Sequence, residues 1–333
     1  MRLNSAIVTA SHIPLVDVTR GDLVESVHYG SFVATAPNGD VLYSGGEPGS
    51  PVYPRSSLKP LQAAAMVAAG LELPDDLLAL SAASHSGATD HIAGVERILG
   101  MHGLDASALR NTPDVPYGSA ERRAWVAADR GPTRRAQACS GKHAAMLATC
   151  VINGWPVHSY LEVDHPLQVA IAESLEAATG ERASATAVDG CGTPVFAYSL
   201  TAVARAYGRL ASAPTGTPEG SVAHAMRAHP YMVGGAGRDI TDLMTAVPGL
   251  IAKDGAESVQ LVGLADGSAV AVKISDGGDR ARMPITAAIL ARLGVSAPAL
   301  EPFRTSPVLG GGQPVGELRA CENLFMTENP AVA

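Results

Sequence analysis

A chain of 333 residues, of which 47% are hydrophobic, carries enough apolar material for one large core or two lobes. With a formal net charge of −8, only 17% charged residues and no basic cluster, it lacks the footprint of a nucleic-acid or anionic-membrane binder, and 4% aromatic content leaves little for stacking bases or sugars. The cysteines Cys139, Cys150, Cys191 and Cys321 are too few to staple a chain of this size and read as reduced thiols, metal ligands or buried apolar residues.

The chain opens Met1-Arg2-Leu3-Asn4, and its next apolar residues are broken by Thr9, Ser11 and His12, which makes a poor secretory signal. The apolar run from Leu71 to Ala83 is interrupted by Glu72, Asp75 and Asp76, short of the ~18 apolar residues of a membrane span. The expectation is a soluble, cytoplasmic protein. Residues 13–45 read as strands, with Asn38-Gly39 between two β-rich runs as a hairpin signal. From Pro60 to about Met244 the character is helical, at 61–70, 75–83, 90–101, 140–153, 166–179 and 195–208, while Ser212 to Gly220 reads as a turn-rich surface loop. Strands return at 258–264, pairing across Ala265-Asp266-Gly267-Ser268 with 269–274, and a last helix runs from about Pro284 to Leu293.

Strands at both ends with helices between predict an α+β fold: one antiparallel sheet built from N- and C-terminal strands, carrying an inserted helical region. The sheet lobe would hold about 1–58 and 245–333, the helical lobe about 59–244, with a site at their junction. Serine β-lactamases and penicillin-binding proteins share this layout.

The stretch Tyr53-Pro54-Arg55-Ser56-Ser57-Leu58-Lys59-Pro60-Leu61-Gln62 reads as a loop entering a helix, since Pro60 fits only in a first turn; Ser57 is then the expected N-cap. Ser56 and Lys59, three apart, share one face, the spacing of a serine nucleophile and a lysine base. An isolated Ser-x-x-Lys is more often a solvated first turn. As a base, Lys59 has to be neutral, and moving a lysine from about 10.4 to about 7 costs roughly 4–5 kcal/mol, which calls for burial, a second cation nearby, or both. Lys253-Asp254-Gly255 offers that cation from a turn; Lys273 competes but lies in a regular strand, where a solvated lysine is the plain reading.

Three more stretches carry chemistry. Ser84-His85-Ser86-Gly87 ends an apolar helix and offers a second hydroxyl. Cys139-Ser140-Gly141-Lys142-His143 opens a helix, a setting that lowers a thiol pKa. Asp189-Gly190-Cys191-Gly192-Thr193-Pro194 is a tight turn exposing a carboxylate and a thiol. Cys139 and Cys191, with Lys142 or His143, are candidate zinc donors, although no Cys-x2-Cys spacing is present. Cys139 as a nucleophile activated by His143 is the competing reading.

Together with His229-Pro230-Tyr231-Met232-Val233-Gly234-Gly235 and Lys253-Asp254-Gly255-Ala256-Glu257, these ordered motifs resemble the L-asparaginase II family of the rhizobial, inducible type, from about Asp17 to about Ala281. The resemblance implies a serine β-lactamase-like fold, a homodimer, and hydrolysis of L-asparagine to L-aspartate and ammonia. It implies Ser56 as nucleophile with Lys59, Ser84 paired with Lys253, a zinc ion on Cys139, Lys142 and Cys191, and substrate contacts from Arg55, His143 and Asp189. The chain departs from the family pattern at Ser258, where glycine is usual. Rivals of other classes are a different serine-lysine hydrolase, such as a β-lactamase or peptidase, and a non-catalytic zinc-binding protein.

Overall fold

The computed structural model describes residues 11–325. Strands β1 (Ile13–Arg20), β2 (Leu23–Thr35) and β3 (Val41–Gly45) run antiparallel in sequence, β2 and β3 being joined through Asn38-Gly39. After the short β4 (Pro51–Val52) the helical region begins with α1 (Lys59–Ala68), α2 (Asp75–Ser81), α3 (Thr89–Met101), α4 (Ser119–Ala127), α5 (Ser140–Asn153) and α6 (Pro166–Thr179). The hairpin β5 (Ala185–Val188) and β6 (Pro194–Ser199) interrupts it before α7 (Leu200–Ser212), α8 (Pro218–Ala228), α9 (Pro230–Val233) and α10 (Asp239–Ala246). The chain returns to sheet in β7 (Ile251–Gly255), β8 (Val259–Gly263) and β9 (Ala269–Ile274), then α11 (Arg282–Arg292), α12 (Ala297–Arg304), β10 (Thr305–Gly310) and β11 (Gln313–Ala320).

The main sheet is antiparallel in the order β10-β11-β1-β2-β9-β8-β7, with β3 also paired to β2. Its last strand in sequence, β11, lies between β1 and β10, so both ends of the chain build one sheet around the helices, as expected. All residues of β8 are buried, which requires cover on both faces. Helix α7 supplies one cover, Ala211 and Tyr207 lying against Gly263, and α11 supplies the other, where Arg282 bonds Gln260. Lys253 pairs in register with Leu261, on the α7 side of the sheet, and so faces the helical region.

Some expectations are corrected. Residues 195–199, placed in a helix by composition, lie in β6, because Val195, Phe196 and Tyr198 find strand partners in β5 and β4; α7 starts only at Leu200, where the Ser199 hydroxyl accepts from the Ala202 N–H at 3.0 Å. The loop reading of 212–220 ends early, since Thr217 caps α8 and Pro218 opens it. Strands β10 and β11 were not anticipated: rich in Gly and Pro, they bury only Val308 and Leu318 well. Among the described residues no helix is long and apolar enough to cross a membrane.

Candidate active site

A 3-10 turn, Arg55–Leu58, leads into α1. Leu58, not Ser57, occupies the N-cap position, and no side chain caps the helix. The Ser57 hydroxyl instead donates back to the Pro54 carbonyl at 2.7 Å, holding the tight turn. The Lys59 N–H bonds to the Ser56 carbonyl, an i,i+3 link that keeps the two side chains on one side. The turn packs against β7 because Gly255 has no Cβ: one added there would meet the Pro54 carbonyl oxygen at 2.4 Å.

Of the chain's 24 basic residues only four are lysines, and three of these, Lys59, Lys142 and Lys253, are almost completely buried. Burying so many ammonium groups demands partners. Lys59 Nζ donates to the Ala83 carbonyl at 2.6 Å, Ser84 Oγ at 3.0 Å and Cys139 Sγ at 3.1 Å. The expected Ser56–Lys59 contact is thus absent among the described residues: Ser56 lies partly buried beside the turn, and the hydroxyl bonded to Lys59 is that of Ser84. Nor is Lys253 bonded to Ser84. Its Nζ donates to the main-chain carbonyl of Asp254 at 2.7 Å and to the Asp254 carboxylate. Burial pushes Lys253 down to about 8, the Asp254 carboxylate opposing and the charge of Lys59 reinforcing the shift. Lys273 bonds the carbonyls of Glu257 and Ile274, away from this cluster. Both lysines lie inside regular strands, so it is burial facing the helical region, not a turn position, that distinguishes Lys253.

Cys139 stands at the N-cap of α5, Lys142 lies within its first turn, and Cys191 lies in the β5–β6 turn. Lys142 Nζ donates to Thr193 Oγ1 at 2.8 Å and Cys191 Sγ at 3.4 Å. Donation toward Cys191, together with burial, pushes Cys139 up to about 12, the reverse of the helix-terminus expectation. Cys191, accepting from Cys139 and near Lys142, is held well below the usual thiol range. Cys191 is buried, not exposed in its turn. Among the described residues no group of three His, Cys, Asp or Glu side chains suits a metal. The donor set here is two thiols and an amine, chemistry that suits a soft divalent ion once these groups lose their protons.

Arg55, in the left-handed region at φ 55, sends Nε and Nη2 to Asp189 Oδ1 at 2.7 and 2.6 Å. Burial alone would raise Asp189, but Lys142 and Arg55 outweigh it and hold the carboxyl below its usual range. His143 is buried and, by desolvation first and Lys142 second, held neutral. Tyr160 Oη accepts from the Arg110 N–H at 3.0 Å and lies 2.8 Å from His143 Nδ1; donating its single hydrogen there puts the imidazole proton on Nε2, which is buried with no partner among the described residues.

Two residues with no assigned role complete the cluster. Arg238 donates from Nη1 to the Ser84 carbonyl at 3.2 Å and from Nη2 to Asp254 Oδ2 at 2.8 Å. Asp254 is buried, but Lys253, Arg238 and Arg282 hold its carboxyl far below its usual range. The scarcity of lysine beside abundant arginine is the signal that would have singled out Lys59, Lys142 and Lys253 together; Arg238 carries no such mark.

The profile of the L-asparaginase II family matches residues 16–320. The chain belongs to the L-asparaginase II family. Membership supports an asparaginase-type amidohydrolase acting on a small molecule. No curated protein matches the sequence. Among solved structures, a provisionally assigned beta-lactamase from Bacteroides dorei DSM 17855 is 14% identical over 79% of this chain and 93% of its own, with a TM-score of 0.41. A beta-lactamase from Mycobacterium bovis is 17% identical over 79% and 94%, with a TM-score of 0.36. At these scores neither adds to the assignment, which rests on the family match.

Proposed function

We propose that the protein is an L-asparaginase that works through a serine nucleophile and a lysine base. The observation that carries this reading is the family match over residues 16–320; beside it, Lys59, Ser84 and Cys139 lie in one buried hydrogen-bonded cluster, with Lys253 close enough to feel the Lys59 charge and Ser56 one turn before Lys59. Ser56 Oγ attacks the side-chain amide carbon of asparagine while a lysine amine takes its proton. The same proton passes to the departing nitrogen, which leaves as ammonia, and water then cleaves the aspartyl ester with a lysine again as base. Arg55 and Asp189, locked in one ion pair, orient the α-carboxylate and α-ammonium, and the His143 Nε2–H, unpaired among the described residues, offers a donor.

Cys139, Cys191 and Lys142 would hold zinc. Such an ion, when bound, supplies a Lewis-acid anchor for a substrate group. The three side chains are held by their surroundings: Cys139 is the N-cap of α5, Lys142 lies in its first turn, and Cys191 is tied to Lys142 Nζ at 3.4 Å and to Thr193 Oγ1 at 3.3 Å.

A second assignment within the same chemistry follows from the 3.0 Å Lys59–Ser84 bond: Ser84 as nucleophile, with Ser56 as the supporting hydroxyl. The test is ammonia release from asparagine, glutamine and small amides by purified wild type, Ser56→Ala, Ser84→Ala and Lys59→Met, with metal content measured on the same samples. Wild type should release ammonia from asparagine, with losses of at least ~10²-fold for Ser56→Ala and Lys59→Met. Trapping the ester on Ser84 by mass spectrometry would transfer the nucleophile role there. A wild type that opens a cephalosporin but leaves asparagine intact would overturn the asparaginase reading.

A further inference from the structure

The motif His229 to Gly235 has no part in the chemistry above, yet it and the turn after it hold the Ser84 loop. The Ser84 N–H donates to the Val233 carbonyl at 3.2 Å, the Ser86 N–H donates to the Gly234 carbonyl at 2.8 Å, and Arg238, four residues on, donates back to the Ser84 carbonyl at 3.2 Å. Its second nitrogen reaches Asp254, which in turn receives the Lys253 ammonium at both its main-chain oxygen and its carboxylate. One guanidinium therefore spans the helical region, which carries Lys59 bonded to Ser84, and the edge strand of the sheet, which carries Lys253. The ring of Tyr117 lies 4.6 Å from its central carbon, fixing the plane of the fork.

We propose that Arg238 is a positioning residue for the reaction, and Asp254 its relay: together they set the placement of Lys253 relative to the Lys59–Ser84 pair. The inference rests on the serine-lysine reading above. An arginine suits the task because its two outer nitrogens serve two acceptors at once in fixed geometry; a lysine at the same place supplies the charge but not the span. The charged and titratable groups facing Lys253 are Asp254 on its own strand, Lys59 on α1 and Arg238 before α10, with Arg282 on α11 and the hydroxyls of Tyr117 and Tyr207 grouped around Asp254. Arg238 and Asp254 act on the Lys253 charge in opposite directions.

Because the chain has only four lysines, each can be followed by NMR after lysine-selective 13C labelling. Arg238→Lys, Arg238→Gln and Asp254→Asn are made in the full chain, their melting followed, and kcat, KM and the Lys253 titration compared with wild type. Arg238→Lys should lose at least ~10-fold in kcat with KM within about threefold and the Lys253 midpoint unmoved, since charge is kept and the bridge lost. Arg238→Gln should move the Lys253 midpoint up and Asp254→Asn should move it down. If Asp254→Asn does not fold, the two arginine variants alone decide. Full kcat in Arg238→Lys, or an unmoved Lys253 midpoint in Arg238→Gln, overturns the proposal. A wild type that releases no ammonia sinks the asparaginase reading instead, while the NMR arms still test the link between Arg238 and Lys253.

Discussion

Lys253 sets the pH behaviour expected of the site. A lysine takes a proton only as the free amine, and burial has brought this one down to about 8. Below that pH the protonated form dominates and kcat/KM should fall by about tenfold per unit; above it the rate should level off. His85 and His143 do not supply this limb, because both are held neutral far below their usual range. The nearby Lys59 charge is part of what sets that midpoint. A profile flat from pH 6 to 9 would remove neutral lysine from the mechanism. Ser258 poses a different question at the same scale. It follows Glu257 in the β7–β8 turn, and both have left-handed backbones, φ 62 and 56. The glycine that the family resemblance leads one to expect at 258 would avoid this strain, since an L residue there costs about 1–2 kcal/mol. The Ser258 hydroxyl recovers part of this through a 3.3 Å bond to the Gly278 carbonyl. Ser258→Gly should leave turnover unchanged and raise stability by up to about 1 kcal/mol, read from the urea midpoint, the gain being limited by glycine's freedom in the unfolded chain. A lower midpoint would mean that the hydroxyl contributes more than the strain costs.

Elements whose own residues decide them were legible in the sequence. The bounds of α5 and α6 fall where the apolar period and the flanking Gly154, Pro166 and Gly180 place them, and the β8–β9 hairpin follows its Asp-Gly turn. What stayed hidden depends on partners far along the chain. Residues 195–199 have a helix-compatible composition until β5 and β4 offer them backbone pairing, and β10 and β11 show almost no alternation because so few of their residues face the core. The site divides the same way: its motifs were visible, but the hydrogen-bond partners of Lys59 and Lys253 were set by packing. One such packing contact is directly testable. Helix α7 lies so close to the β8–β9 turn that a Cβ on Gly208 would meet the Gly267 carbonyl oxygen at 2.2 Å, backbone against backbone. Gly208→Ala should therefore destabilise by about 1–3 kcal/mol despite alanine's higher helix propensity. Gly100→Ala, in α3 with nothing within 4 Å, is the control and should be neutral or stabilising by up to about 1 kcal/mol. Equal effects at the two sites would show that α7 can move off the sheet at little cost.

At the scale of the molecule, one sheet is closed by both ends of the chain, and the helical region is carried between them. Val16 pairs with Ala320, and the Cys321 N–H donates to the Leu15 carbonyl at 3.0 Å, so the beginning of β1 and the end of β11 are neighbours. The strands, not the chain order, should then be what the fold requires. A circular permutant tests this. Residue 325 is joined to residue 11 through about 12 flexible residues, which reach about 20 Å, and the chain is opened between Thr215 and Gly216. Pro214 to Gly216 are exposed, and Gly216 has nothing within 4 Å of where a side chain would stand. The cut breaks only the local turn around Thr217 ahead of α8. The permutant should fold cooperatively and keep kcat/KM within about tenfold of the parent, because Lys59, Ser84, Arg238 and Lys253 keep every partner. A chain ended after Arg304 should not: it lacks β10 and β11, leaves β1 as an edge with unpaired backbone groups, and uncovers Val16 and Val18. A truncated chain that folds and turns over while the permutant does not would reverse the argument, making chain order rather than sheet closure the determinant of the fold.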